Sequence, residues 1–318
     1  MLAAVKRIPA GHRAVIVLWI SVLGLFLVGE AMSPGFFSIA HSVNIFRSAA
    51  FVGMAAIGQT LVVLTGGIDL SVGSLLSLGN VLACLLIDGK DENNVWAIAL
   101  ILFIGLAVGL CSGIGVAILD ISPMVMTMAM GVIVTGVTLI WSKGAPKGFA
   151  SPFLHGIGAG YFMGMPVSAL LWLALSLATL ALLKLTVPGR GIYYLGANEV
   201  ASVFAGINVA IIKTAVYAIS GLAAVLTGII YAGYTSVAFL DIGKDFTMSS
   251  VTAVVIGGTA MTGGRGGYGG TMAGATLLCL IDSIMTIMNI QEAGKKIMTG
   301  LVIIVLIVVY YRKNASAR

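Results

Sequence analysis

Apolar runs of bilayer length recur through this chain, near residues 14–33, 47–66, 70–88, 95–118, 123–142, 163–184, 213–235, 247–262, 269–288 and 296–311. An α-helix rises 1.5 Å per residue, so about 20 apolar residues carry it across the hydrocarbon core. Each run is close to that length. Only 9% of the residues are charged and 59% are hydrophobic, whereas a soluble domain carries about a quarter charged residues with which to cover its surface. The expected fold is therefore all-α: a single polytopic membrane domain over 1–318 with about ten transmembrane helices. The first run, after the basic arm at 1–13, exceeds the hydrophobic core of a signal peptide and lacks a clear small-residue cleavage site, so it is read as a retained helix.

One stretch departs from lipid-facing sequence. Residues 57–79, IGQTLVVLTGGIDLSVGSLLSLG, place a carboxylate, hydroxyls and a glycine pair between two apolar runs. Gly66 and Gly67 are suited to ending the incoming helix, because glycine takes the left-handed conformation of a C-terminal cap. Asp69 is then positioned to cap the next helix by accepting from the backbone N–H of Ser71 or Val72. Irregular backbone survives at membrane depth only inside protein or along a wet cavity, so a broken helix and a site are expected together. A fainter echo comes late in the chain, where VVLTGG at 62–67 is matched by VVIGG at 254–258. Gly257 and Gly258 mark this second break, and paired breaks in two halves point to a transport pathway. Gln59, Thr60, Asp69, Ser71, Ser74 and Asn80 are the candidate pathway residues, with Ser77 continuing the polar face of Ser74 and Asn80. Each has a plainer alternative as a helix cap or helix-to-helix hydrogen bond.

The other motifs mostly exclude chemistry. Cys84, Cys111 and Cys279 lie singly in apolar runs, and His12, His41 and His155 are isolated. Neither set has metal-ligand spacing, so no metal or cofactor is expected. Gly264, Gly266 and Gly269 fit a dinucleotide fingerprint in form, but an apolar helix precedes them where a strand is needed. The expected structure there is a tight cytoplasmic turn, with Arg265 available either to a lipid phosphate or to a soluble partner protein. No phosphate-binding loop of the GxxxxGK[ST] type occurs, so this chain binds no nucleotide in that way. Asp282 lacks the aligned acids and histidines of a proton relay. No nucleophile–base pair argues for an enzyme. The net charge of +6 lies in short loops and tails without a basic-aromatic patch, which argues against nucleic acid.

Gly105, Gly109 and Gly113 recur every four residues and predict a helix face that admits a close neighbour. Met124, Met126, Met128 and Met130 alternate, so they point around a helix and fill space. Residues 186–212 form the only long stretch expected to lie in the cytoplasm between helices. Pro188, Gly189 and Gly191 are expected to break the preceding helix. Asn198 is placed to cap a short helix from Glu199 to Phe204, ended by Gly206, and a helix of that kind at a loop tip suits docking to a soluble partner.

Three segments resemble the permease subunits of ribose-type monosaccharide ABC importers, and the resemblance covers nearly the whole chain. They are GQTLVVLTGGIDLSVGS, the loop with Gly196, Asn198, Ala201, Gly206, Ile207 and Val209, and the late VIGG followed by GGRG. Phe204 and Ala205 depart from the family's loop pattern. The resemblance implies a bacterial inner-membrane permease that moves a sugar or similar small polyol. It also implies a separate ATP-binding cassette ATPase contacting Gly196, Asn198, Glu199, Ala201 and Gly206, a solute-binding protein, and a second permease subunit. An ion-coupled secondary transporter is the competing class, since broken helices suit it too.

Loop charges set the orientation. With the N-terminus inside, Lys6, Arg7, Arg13, Lys184, Arg190, Lys213, Arg265, Arg312, Lys313 and Arg318 face the cytoplasm. Arg47, Lys90, Lys143, Lys147, Lys244, Lys295 and Lys296 face outward, along with the acidic stretches at 88–94 and 239–245. The basic excess inside fixes the direction, and an even number of spans returns the chain to the same side. Reporter fusions at Lys6 and Arg318 are expected to give cytoplasmic signals at both ends; opposite signals would mean a miscounted span.

Overall fold

The computed structural model describes residues 10–298, 300 and 301. The basic arm lies mostly outside these residues, as do the C-terminal tail and most of the tenth expected span, 296–311. The helices are α1 (Ala10–Met32), α2 (Ile39–Leu64), α3 (Val72–Ile87), α4 (Asn94–Ala117), α5 (Pro123–Ser142), α6 (Pro152–Gly158), α7 (Val167–Leu185), α8 (Val187–Ala197), α9 (Glu199–Phe204), α10 (Val209–Thr235), α11 (Lys244–Ile256) and α12 (Tyr268–Ile287). A two-residue antiparallel hairpin pairs β1 (Tyr161–Phe162) with β2 (Met165–Pro166). Among the described residues seven helices are long and apolar enough to cross a membrane, and α3 is a shorter apolar helix. The chain is an all-α polytopic membrane protein.

Most expected spans match these helices within a few residues, and the departures have local causes. The run expected at 47–66 begins instead at Ile39, where the Ser38 hydroxyl accepts from the His41 N–H. The run expected at 247–262 ends at Ile256, because Gly257 and the positive-φ Gly258 turn the chain out of the helix. The run expected at 163–184 opens with the hairpin and becomes helical only at Val167. Pro188, Gly189 and Gly191 do not leave the chain irregular. Thr186 interrupts the helix in an extended conformation, its hydroxyl accepts from Gly189 N–H, and Pro188 falls in the first turn of a new helix, α8. Proline is tolerated there because that N–H has no intrahelical partner. Gly189 is small because the Leu182 carbonyl and Leu183 backbone press against it.

Helix α10 is the hub, packing against α2, α3, α4 and α6. The expected glycine stripe explains its closest approach. A Cβ on Gly105 would meet Val225 and the Gly221 carbonyl; one on Gly109 would meet Tyr217 and Ala218; one on Gly113 would meet Thr214. Across a second contact, Gly58 of α2 lies against Ser220. Lipid offers no hydrophobic drive for one helix to join another, so dispersion at close range and buried hydrogen bonds supply the association. One such bond chain crosses three helices: Trp172 Nε1 of α7 donates to Tyr268 Oη of α12 at 2.8 Å, and Tyr268 Oη donates to the Gly53 carbonyl of α2 at 2.8 Å. The methionines of α5 do point around it. Met124 and Met128 are exposed, Met126 packs on Gly115, and Met130 packs against the core.

The connecting segments gather at two ends. At one, Gly89 N–H donates to the Phe149 carbonyl, Ala150 N–H donates to that of Ser236, and Asp91 accepts from Phe153 N–H. Arg47 sits there too, its guanidinium 4.5 Å from the centre of the Tyr161 ring. At the opposite end, Gly264 N–H donates to the Leu64 carbonyl at 2.9 Å, and Gly196 lies against both. The long interruption and the two glycine breaks therefore share one end.

Replacing Gly109 with Val puts a branched side chain into the Tyr217 backbone, and overpacking of this kind costs about 1–3 kcal/mol. Gly136→Val, where a Cβ meets nothing within 4 Å, is the control. Thermal unfolding in detergent is expected to show a lowered midpoint for Gly109→Val and a near wild-type midpoint for Gly136→Val.

Candidate functional site

Between α2 and α3 the chain is non-helical from Thr65 to Ser71, and each turn of it is accounted for. Gly66 takes φ +84°, and the N–H groups of Thr65, Gly66 and Gly67 donate back to the last carbonyls of α2. Leu70 N–H donates to Thr127 Oγ1 of α5 at 3.0 Å, and Thr127 Oγ1 also reaches the Ile68 carbonyl at 3.3 Å. Asp69 is 1% exposed. Its Oδ1 accepts from Ser71 N–H at 2.9 Å and from Ser71 Oγ at 2.6 Å, and its Oδ2 accepts from Ser220 Oγ of α10 at 2.7 Å. Ser220 lies eleven residues into α10, about 17 Å along the helix. The carboxylate thus sits deep in the membrane-spanning region, enclosed by hydroxyl and amide donors. It acts just before α3 and ties the break to the hub; the residue at the head of α3 is Ser71, which makes no side-chain cap of its own.

The other expected pathway residues divide among separate neighbours. Ser71 belongs to the Asp69 cluster, and Ser74 Oγ donates to the Ser71 carbonyl. Asn80 Oδ1 accepts from Phe239 N–H at 2.8 Å, and Ser77 Oγ accepts from Gly243 N–H at 2.9 Å, so these two side chains hold the non-helical run before α11. Thr60 Oγ1 donates to the Ala56 carbonyl and lies 2.9 Å from Thr271 Oγ1 of α12. Gln59 is fully buried on α2, and neither polar atom of its amide has a protein partner. Tyr217 Oη is likewise buried without a partner. A Cβ on Gly67 would meet that hydroxyl, which places it beside the break.

The second break approaches the first. A Cβ on Gly263 would touch both the Gly66 nitrogen and the Gly196 carbonyl, and one on Gly264 would touch Ala197. Tyr193 Oη of α8 donates to the Gly266 carbonyl at 3.1 Å, and burial pushes that phenol's pKa upward. Gly257 and Gly258 close α11, and Gly257 lies against Gly270 and Thr271 of α12. Beyond the node, Asn198 Oδ1 accepts from Ala201 N–H at 2.9 Å, and α9 runs from Glu199 to Phe204. Gly206 follows at φ +78°. Glu199 reaches back to Lys213 of α10 at 2.6 Å.

Thr127 and Ser220 were not singled out from sequence. Each is one hydroxyl in an apolar run, and such residues commonly bond their own helix. Among the described residues no group of three His, Cys, Asp or Glu is placed to hold a metal.

The Asp69 cluster makes a sharp substitution test. Asparagine can keep its carbonyl toward Ser71 and donate to Ser220, whose hydroxyl also accepts. Leucine leaves three buried donors unpaired at about 1–3 kcal/mol each. Asp69→Asn is expected to keep most of its thermal stability and transport, and Asp69→Leu to lose both. Lost transport in Asp69→Asn at wild-type stability would assign the charge itself to the pathway.

A family model described as branched-chain amino acid transport system / permease component matches residues 41–307. The ribose import permease protein RbsC of Escherichia coli K12 is 35% identical over 93% of each chain, and RbsC of Bacillus subtilis 168 is 32% identical over 92% of each. The autoinducer 2 import system permease protein LsrC of Salmonella paratyphi B is 30% identical over 90% of this chain and 82% of that one. No solved structure matches. With the matched region running from the start of α2 past the end of α12, the chain belongs to this family of import-system permease components.

Proposed function

We propose that this chain is the transmembrane subunit of a bacterial ABC importer for a monosaccharide or similar small polyol, seated in the inner membrane. The observation that carries the proposal is the junction at Gly196, where the helical interruption meets both glycine breaks through backbone contacts. A push on α9 is transmitted at that point to the two segments on which a pathway would be built. The outer surface of α9 suits a protein partner, with Val200, Val203 and Phe204 exposed at 66%, 57% and 87%. An ATP-binding cassette ATPase docks there, through the segment containing Gly196, Asn198, Glu199, Ala201 and Gly206. Names among the relatives support the substrate class, since they include permeases for ribose and for autoinducer 2.

The finer architecture is ten spans in one permease domain, with both termini and the 186–212 loop cytoplasmic. A solute-binding protein meets the opposite end. Helix α5 supports a second permease subunit, because it leaves Met128, Val132, Ile133 and Ile140 exposed on a helix that is otherwise anchored through Thr127. The pathway runs past Gln59, Thr60, Asp69, Ser71, Ser74 and Asn80. Ion coupling is disfavoured by the relatives, whose names are those of import-system permease components.

The test is reconstitution. The chain alone in vesicles with a sodium or proton gradient is expected to move no sugar; uptake is expected once the ATPase, the binding protein and ATP are supplied. Gly196→Val is expected to insert normally but to lose most ATP-driven uptake, because its side chain would displace the Leu64 carbonyl. Gradient-driven uptake by the chain alone would overturn the proposal.

A further inference from the structure

Two cavities, of about 880 Å³ and about 360 Å³, share Leu182 and Ile219 as lining residues. Together they form one groove along α10, walled by α8 and α9 in the larger cavity and by α7 in the smaller one. One wall is Leu175, Ala178, Thr179 and Leu182; the other is Ile212, Ala215, Ile219 and Leu226; Met54, Ile57 and Leu61 of α2 form the deep end. From Ile211 to Leu226 the groove follows fifteen residue steps of α10, about 22 Å. One leaflet of hydrocarbon is about 15 Å deep. The groove therefore has the length of an acyl chain with room for its head at the mouth. Its lips face outward, since Leu177 and Ala178 of α7 and Ala215 of α10 are exposed.

The mouth adds charge. Arg190 lines it and is exposed. Among the described residues Arg190 has no carboxylate partner, and Glu199 is paired with Lys213. Asn198 and Asn208 also line the mouth; each uses its side-chain oxygen as a helix cap, leaving its amide N–H₂ as a donor. A guanidinium with amide donors beside it recognises a phosphate, and apolar walls within the bilayer take the tail.

We infer that this groove is a binding site for an anionic phospholipid from the leaflet on the side of the 186–212 loop, with its phosphate at Arg190 and one acyl chain between α7 and α10. The inference does not depend on what the protein transports.

The full chain is purified and offered phosphatidylglycerol or phosphatidylcholine with identical acyl chains, and retained lipid is counted by native mass spectrometry. Wild type is expected to hold one phosphatidylglycerol per chain with at least about tenfold preference over phosphatidylcholine. Arg190→Gln is expected to lose the preference while still holding either lipid weakly. Ala215→Trp, or Ala178→Leu from the facing wall should the first fail to fold, is expected to lose both. The absence of a head-group preference in wild type overturns the inference without any variant. Undiminished phosphatidylglycerol on a folded groove-filling variant also overturns it. So does a change of oligomeric state with lipid retained, which would give the groove to a second copy of the chain.

Discussion

A backbone that leaves the helix inside a membrane must find its hydrogen bonds in protein, because hydrocarbon offers none. That requirement organises the interior of this molecule. The seven residues from Thr65 to Ser71 are satisfied by the end of α2, by Thr127 of α5 and by the carboxylate of Asp69. Asp69 in turn is fixed by Ser220 of α10. The break thus recruits three separate helices, and each must be in place for it to be satisfied. A buried carboxylate stripped of these donors would be costly; enclosed by them, it joins a loop to the central helix.

The same requirement explains the distribution of glycine. Where two backbones meet directly, a carbonyl of one can receive an N–H of the other, as Leu64 receives Gly264. Such contact leaves no space for a side chain, and Gly196, Gly263 and Gly264 have none. The glycines of α4 perform the corresponding task by dispersion alone, bringing its helix onto α10. One residue type thereby serves two purposes: holding the bundle together, and joining the 186–212 loop to the breaks by direct backbone contact.

How much was legible in the sequence follows from the range of each signal. Helix runs such as 123–142 were readable because length and hydropathy are local, and the Asn198–Gly206 cap-and-stop pattern was readable because every participant lies within nine residues. The start of a new helix at Val187, running through Pro188 and Gly189, was missed. Glycine and proline signal a break, but Thr186 had already made it, leaving Pro188 in a first turn where it is harmless. The roles of Asn80 and Ser77 depend on partners more than 150 residues away. A polar stripe on α3 therefore looked like a pathway lining as readily as a brace for the run before α11. Ser220 and Thr127 carried no local mark at all.

Gln59 and Tyr217 are two of the described residues with a buried polar atom that has no protein partner, a set that also includes Arg47, Asn80, Ser112 and Ser168. The other candidate residues on α2 and α3 each have at least one backbone or side-chain partner, although the Asn80 amide nitrogen has none. Gln59 has none for either end of its amide, although a buried amide without partners costs free energy that a leucine of similar length would not. Tyr217 Oη, beside Gly67, is in the same position. Stability alone gives no reason to keep either group. A polar occupant, water or solute, would satisfy both. In the pathway proposed above, the same two groups would be costly without such an occupant and useful with one.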